Sequence, residues 1–325
     1  MLVRTIGSFH VGGRVVELRG LASRTNTLVP GSPPVLVDPN GDFHVGQMYI
    51  QFVRLVRPRA TLPLVLMHGG HVTGACWETT PDGRPGWQSK FLEAGFDVMV
   101  CDTVERGRAG WSRFPEIFKS EPFFRSTREA FVLFRIGAVE DYSTNPALRR
   151  AFAGQRFPLA ALDNFAMQMV PRWNGNEPLI EAAYDAALQR IGPCLLLAHS
   201  QGGGFAFGAA LRNPDLVRAL IVIEPGGAPH PSAETVESLR RIPMLFVWGD
   251  YIDRVPFWAA VKPSVRVTCD ALAAAGGNVE WIDLPTRGIR GNSHFIMMDD
   301  NSDAIADLVI DWCDRQKLRA PGDAV

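Results

Sequence analysis

The chain has 325 residues, more than one compact core requires and fewer than two full enzyme domains hold, which favours one large domain with an insertion or small lid. Apolar residues make up 46% and charged residues 21%, which excludes disorder of the whole chain. Basic and acidic residues number 33 and 34, a net charge of −1 with no basic run, so nucleic acid and anionic membrane have no electrostatic footprint as partners.

In chain order, GGRVVELRG (12–20) and GQMYIQFVRLV (46–56) read as antiparallel β, joined by the Pro/Gly-rich connector PGSPPVLVDPNGD. LPLVLMHGG (62–70) is a continuous apolar run ending in glycines, as expected of a strand buried on both faces. WQSKFLEAG (87–95) predicts a helix stopped by Gly95, and FDVMVCDT (96–103) a second buried strand. After a gap, CLLLAHS, RALIVIEPGG, IPMLFVWGD and VEWIDLP predict further strands with helical stretches between them. SDAIADLVIDWCDRQ places Ile305, Leu308, Val309 and Trp312 at helical spacing, and KLRAPGDAV reads as a frayed tail.

Buried strands alternating with helices imply an α/β architecture, a mostly parallel sheet flanked by helices. Residues 105–185 break the rhythm: they hold no clear buried strand and nine of the nineteen phenylalanines. They are expected to form an inserted helical cap, leaving 1–104 and 186–325 as the core domain. Rings in such a cap line a substrate pocket or fill the cap's own core. Five scattered cysteines without a C-x-x-C pair point to buried reduced thiols, not disulfides or zinc. The N-terminal stretch lacks an apolar signal region, and no run of 18 apolar residues occurs, so the expected compartment is cytoplasmic. A trimmed signal would make it periplasmic or secreted.

The sharpest motif is Ala198-His199-Ser200-Gln201-Gly202, between an apolar strand and a helix. It fits the nucleophile elbow G-x-S-x-G with alanine in the first slot. Small residues are needed there because the strand turns so tightly into the helix that larger side chains collide. The plainer alternatives are a serine opening a helix or a phosphate cradle, but Phe207 stands where a dinucleotide fingerprint needs its third glycine.

A nucleophilic serine needs a base, an acid and an oxyanion site. His294, in GNSH before the last helix, is the expected base from its position after the last strand. His68 and His71 flank the glycines after the third strand, and His199 adjoins the serine across a turn that sends neighbouring side chains apart. His71 and His199 are expected at the substrate; a metal between His68 and His71 lacks a third ligand motif. His10, His44 and His230 read as surface or loop residues. For the acid, Glu224 after ALIVI competes with Asp250 and Asp253 after the next strand; each could equally be a carboxylate capping a turn. Backbone amides of Gly70 and Gln201 would form the oxyanion hole, each donor worth about 3 kcal/mol.

Together LMHGGHVTGACW, CDTVERGRAGWSRF, LLLAHSQGGGFAF, IVIEPGG and GNSHFIMMDDNSDAIADLVIDW resemble the α/β-hydrolases, and within them a small group of bacterial carboxylesterases. The likeness runs from about residue 64 to 312 and is weakest inside the cap. It implies the α/β-hydrolase fold, Ser200 as nucleophile, His294 as base, Glu224 as acid after strand six, and the Gly70 and Gln201 amides as oxyanion hole. The wider superfamily carries its acid after strand seven, the position of Asp250 and Asp253. The group's best-known member has adjacent cysteines where this chain has Gly70-His71, and is exported.

The implied function is a serine carboxylic-ester hydrolase acting through an acyl-enzyme on a small apolar or aryl ester, without cofactor. Lactonase, thioesterase and amidase variants use the same parts, and a non-hydrolytic lyase or ligand-binding protein is the alternative class. The expected partner is a small-molecule ester, with a homodimer left open.

Overall fold

The computed structural model describes residues 1–320. Its main sheet has eight strands: β1 (Val3–Leu18), β2 (Gly41–Leu55), β3 (Leu64–Met67), β4 (Val98–Asp102), β5 (Cys194–His199), β6 (Val217–Ile223), β7 (Met244–Trp248) and β8 (Val279–Asp283). Their spatial order is β1-β2-β4-β3-β5-β6-β7-β8. β1–β2 and β2–β4 pair antiparallel, and every later pair is parallel. The expected antiparallel start and parallel remainder are both present. The Pro/Gly-rich connector adds a small exposed ladder, Arg24–Asn26 against Val35–Val37.

Every residue of β3, β4, β5 and β7 is buried, as continuous apolar runs demand of strands covered on both faces. Alternation then divides the core in two. Leu64, Leu66, Leu195 and Leu197 face one layer, while Val65, Met67, Leu196 and Ala198 face the other. The first layer holds α1 (Trp87–Glu93) and the last helix, Ser302–Arg315, joined by a hydrogen bond from Trp87 Nε1 to Ser302 O of 3.1 Å. Gly95, at φ 92°, ends α1 as expected. The five cysteines are free and buried.

The inserted stretch contains α2 (Thr127–Leu133), opened by a capping box between Ser126 and Glu129, and several single-turn helices. It has no core of its own. Phe131, Phe134, Phe157 and Phe165 lie in the same apolar layer as Trp312 and Leu66. Ile117, Phe118 and Trp173 pack on Leu18 and Val45 of the sheet's antiparallel edge. The boundary expected at residue 185 falls inside α3 (Glu177–Ile191), which packs against β1 and β2 and so belongs with the sheet.

Of the tail expected to fray, Lys317–Ala320 is docked and the last five residues lie outside those described. Arg319 pairs with Asp314 and donates to Ala94 O at 2.8 Å, while Ala320 N donates to Arg59 O at 2.9 Å.

Because Phe165 is fully buried in the sheet's own core, Phe165→Ala should cost about 3–5 kcal/mol. Urea unfolding should show that loss in one cooperative transition. A separate early transition, or a loss below about 1 kcal/mol, would mean that the insertion melts apart from the sheet.

Candidate active site

The parallel strands end together at one edge, and the residues singled out from the sequence collect there. Ser200 follows β5 with φ 53° and ψ −122°, the strained turn an elbow requires, and α4 (Gln201–Arg212) begins at the next residue. The need for glycine is steric. A Cβ at Gly202 would stand 2.5 Å from His68 O, and one at Gly203 would stand 2.8 Å from Pro225 Cβ. The turn is tied to β6: Ser200 N donates to Ile223 O at 3.0 Å, and Gly226 N donates back to Ser200 O at 2.8 Å.

His294 is held on every side. Its Nδ1 lies 2.7 Å from Glu224 Oε2, and its backbone N donates to Phe134 O at 3.0 Å. The Phe134 ring stacks on the imidazole at 5.6 Å and Trp258 covers it at 4.1 Å between centroids. A carboxylate accepting from Nδ1–H fixes the tautomer and leaves the Nε2 lone pair for a proton. Burial first, and Arg135 second, hold the imidazole well below the usual histidine range. Among the described residues no hydrogen bond joins Ser200 Oγ to His294; contacts of this kind are often long in the absence of substrate.

Of the three candidate acids, the structure brings only Glu224 to the histidine. Asp250 accepts instead from Tyr251 N and Gly291 N, at 2.8 and 2.9 Å, and so fixes the start of the loop that carries His294. Asp253 is exposed. Asp299, buried in the same loop, accepts from Ser293 N, Ser293 Oγ and Asn292 Nδ2 at 2.7–2.9 Å. Its burial pushes the carboxyl up to about 7.

The sequence reading missed Arg135. This inserted residue is completely buried, pairs with Glu224 Oε1 through Nη2, and donates from Nε to Asp250 O at 2.7 Å. Gly249 N supplies a further donor to Glu224 Oε1 at 2.6 Å. The one available signal was a cation inside the apolar run FVLFRIG. Ser200, Glu224 and Arg135 all take positive φ, at 53°, 49° and 59°, as do the buried His71 and Glu105.

The oxyanion candidates also converge. Gly69 and Gly70 pass so close to the elbow that a Cβ at Gly69 would stand 2.9 Å from Ser200 Cβ, and one at Gly70 3.1 Å from Gln201 Oε1. Gln201 opens α4, so its amide has no partner within the helix. His68 shapes this loop with both nitrogens: one lies 2.7 Å from Gly69 O, the other accepts from Thr103 N at 3.1 Å. No lone pair is left for a metal. Burial, reinforced by Arg106, drops its pKa to about 4.

His199, expected at the substrate, is instead fully buried. Its Nε2 donates to His294 O at 2.8 Å, so it braces the His294 loop from behind. The separation expected of side chains across the turn is real, but it sends this ring inward. His71 is also buried, its ring edge-on to the exposed Phe123 at 5.2 Å. His10, His44 and His230 are exposed, as expected.

A strained serine, a carboxylate-tied histidine and two amides at one sheet edge are the parts that serine hydrolases use. Residues 185–278 match the family model described as the alpha/beta hydrolase fold. The solved structure of a novel bacterial esterase is 34% identical, spans 96% of this chain and 96% of its own, and superposes with a TM-score of 0.81. The probable secreted lipase phiG of Fungal sp. (strain ATCC 74256) is 27% identical over 337 residues, 84% of this chain and 89% of that protein. The chain belongs to the α/β-hydrolase family of that bacterial esterase, and it is a carboxylesterase-type hydrolase. Among the described residues no helix is long and apolar enough to cross a membrane.

Arg135 places a positive charge against the carboxylate that contacts His294 Nδ1. In Arg135→Gln, that opposing charge is gone and the imidazole binds its proton more tightly. The acid limb of kcat/KM should therefore move to higher pH by about one unit or more. An unmoved limb, read from a pH–rate profile, would show that Arg135 only fills space.

Proposed function

We propose that the protein cleaves a small carboxylic ester through an acyl-enzyme formed on Ser200. The observation that carries this reading is the 2.7 Å contact from Glu224 Oε2 to His294 Nδ1, at the same sheet edge as the strained Ser200 elbow. Ser200 Oγ attacks the ester carbonyl while His294 Nε2 takes its proton. Glu224 keeps the imidazole oriented and stabilises the imidazolium. The Gly70 and Gln201 amides receive the oxyanion, two donors that together contribute about 6 kcal/mol to the transition state. The intermediate collapses, His294 returns the proton to the leaving alcohol, and water repeats the attack to free the carboxylic acid and Ser200. Nothing in this sequence of steps calls for a metal or an organic cofactor.

The aromatic rings available to substrate are fewer than the sequence led one to expect, since most inserted phenylalanines are core. Phe123, 39% exposed and against His71, is the ring placed at the rim for an aryl or apolar portion of the ester.

Ser200→Ala should lower kcat on a chromogenic ester on the order of 10⁵-fold, and an organophosphonate should label the parent protein but not the variant. Glu224→Gln should cost about 10³–10⁴-fold, because a neutral amide can hold His294 in the wrong tautomer. Asp253→Asn should stay near the parent rate, with Asp250→Asn between them. Near-parent turnover by Ser200→Ala would sink the assignment. A crippled Asp253→Asn beside an active Glu224→Gln would move the acid to strand seven. Activity lost to a chelator and restored by zinc would overturn the mechanism.

A further inference from the structure

The rim of the site beyond the oxyanion loop is cationic, and the steps above make no use of it. Arg125 and Arg172 are half-buried there and Arg106 is fully buried. The backbone of Arg172 is bonded both ways to Phe123, at 2.6 and 3.0 Å, so the two inserted segments carrying Arg125 and Arg172 are clasped together. Arg172 Nη1 stands 3.6 Å from the point where a Cβ on Gly70 would project, directly beside the proposed oxyanion amide. Its Nη2 is held by Asn174 Oδ1 at 3.1 Å, while Nη1 makes no hydrogen bond among the described residues. His71, 5% exposed, has Nδ1 buried and unpartnered, and buried atoms of Arg125, Arg172 and Arg106 (Nε, Nε and Nη1) are likewise without acceptors.

Carboxylates do not balance this charge. Glu105 pairs with Arg106 at 3.2 Å and accepts from Asn176; its own burial pushes it up to about 7, so much of its charge is missing at neutral pH. Glu129 lies 3.9 Å from Arg125 and is 53% exposed in its side chain. No carboxylate stands within 4 Å of Arg172 among the described residues. Burial and the charges of Arg125, Arg106 and Arg172, in that order, drop His71 to about 3, so the ring is neutral. Buried donors without acceptors are costly, and a bound anion would satisfy several at once.

We propose that Arg172 and Arg125, with His71 beside them, form a subsite for an anionic group, a carboxylate for example, borne by the ester close to its scissile carbonyl. This rests on the hydrolase reading and narrows its substrate class. It replaces the preference for wholly apolar esters with an apolar or aryl ester carrying one negative charge. Arg172 and Arg125 would then be specificity residues: they bind the substrate's charge and do not take part in proton transfer.

The test uses two matched pairs of esters on the full chain. One pair is 4-nitrophenyl glutarate against 4-nitrophenyl pentanoate, with the charge on the acyl side. The other is 4-butanoyloxybenzoate against its methyl ester, with the charge on the leaving group. In one pair kcat/KM should favour the anion tenfold or more, and the pair that does so tells which side the subsite serves. Arg172→Met and Arg125→Met should each shrink that ratio by about ten- to hundredfold. The ratio should also fall as salt rises. Equal rates within both pairs, or variants that lower both members of a pair alike, would overturn the subsite. So would labelling of Ser200 by an organophosphonate with none of the four esters turned over. Failure of Ser200 to label, with no ester cleaved, would instead sink the hydrolase reading beneath it.

Discussion

The Glu224 carboxylate is the constraint around which the site is assembled. It is entirely out of water, where an ion costs several kcal/mol unless charges and donors replace its hydration. Three groups from three parts of the chain replace it: Arg135 from the insertion, Gly249 N from the end of β7, and His294 Nδ1 from the loop after β8. Losing any one would leave the others around a poorly compensated charge. The same requirement explains why Gly249 lacks a side chain, since a Cβ there would stand 2.8 Å from Glu224 Oε1 and 2.9 Å from Asn292 O.

Because one of those three groups comes from the insertion, this part of it is structural and not a detachable lid. Arg135 O accepts from Gln155 Nε2 at 2.5 Å, and Arg156 N donates to Gly291 O at 2.8 Å, three residues before His294. Phe134 adds both a backbone acceptor and a stacked ring for the same histidine. Positioning His294 and burying the inserted phenylalanines are thus one packing event. The rings that the sequence offered as pocket lining were needed to hold the insertion down.

What the sequence made legible follows from local rules. Continuous apolar runs marked the two-sided strands, and small residues around Ser200 marked the elbow, because both depend on neighbours within a few positions. His294 was readable from chain order. The choice of Glu224 over Asp250 was not settled by spacing; the family resemblance favoured it, and the contact at 2.7 Å agrees. Arg135 stayed hidden because its partner is 89 residues away, and an arginine between phenylalanine and isoleucine carries no local sign of ion pairing. His199 shows a similar limit. Neighbouring side chains do part across the turn, but only the packed loop reveals that its ring meets the His294 carbonyl.

With the Glu224 carboxylate, after β6, at the imidazole, the carboxylate after β7 does something else. Asp250 no longer faces the imidazole and instead accepts from Gly291 N, anchoring the loop that delivers His294. Two acids at adjacent strand ends therefore divide the work: Glu224 acts on the ring, Asp250 on the backbone beneath it. Arg135 touches both, through Nη2 to Glu224 and Nε to the Asp250 carbonyl. Its charge lies against the Glu224 carboxylate in the dry interior, while by the same Coulomb field it opposes protonation of His294. The histidine is thereby oriented by its carboxylate, while burial first and Arg135 second disfavour its protonated form. A residue from the insertion thus bears both on the geometry around His294 and, after burial, on its affinity for a proton.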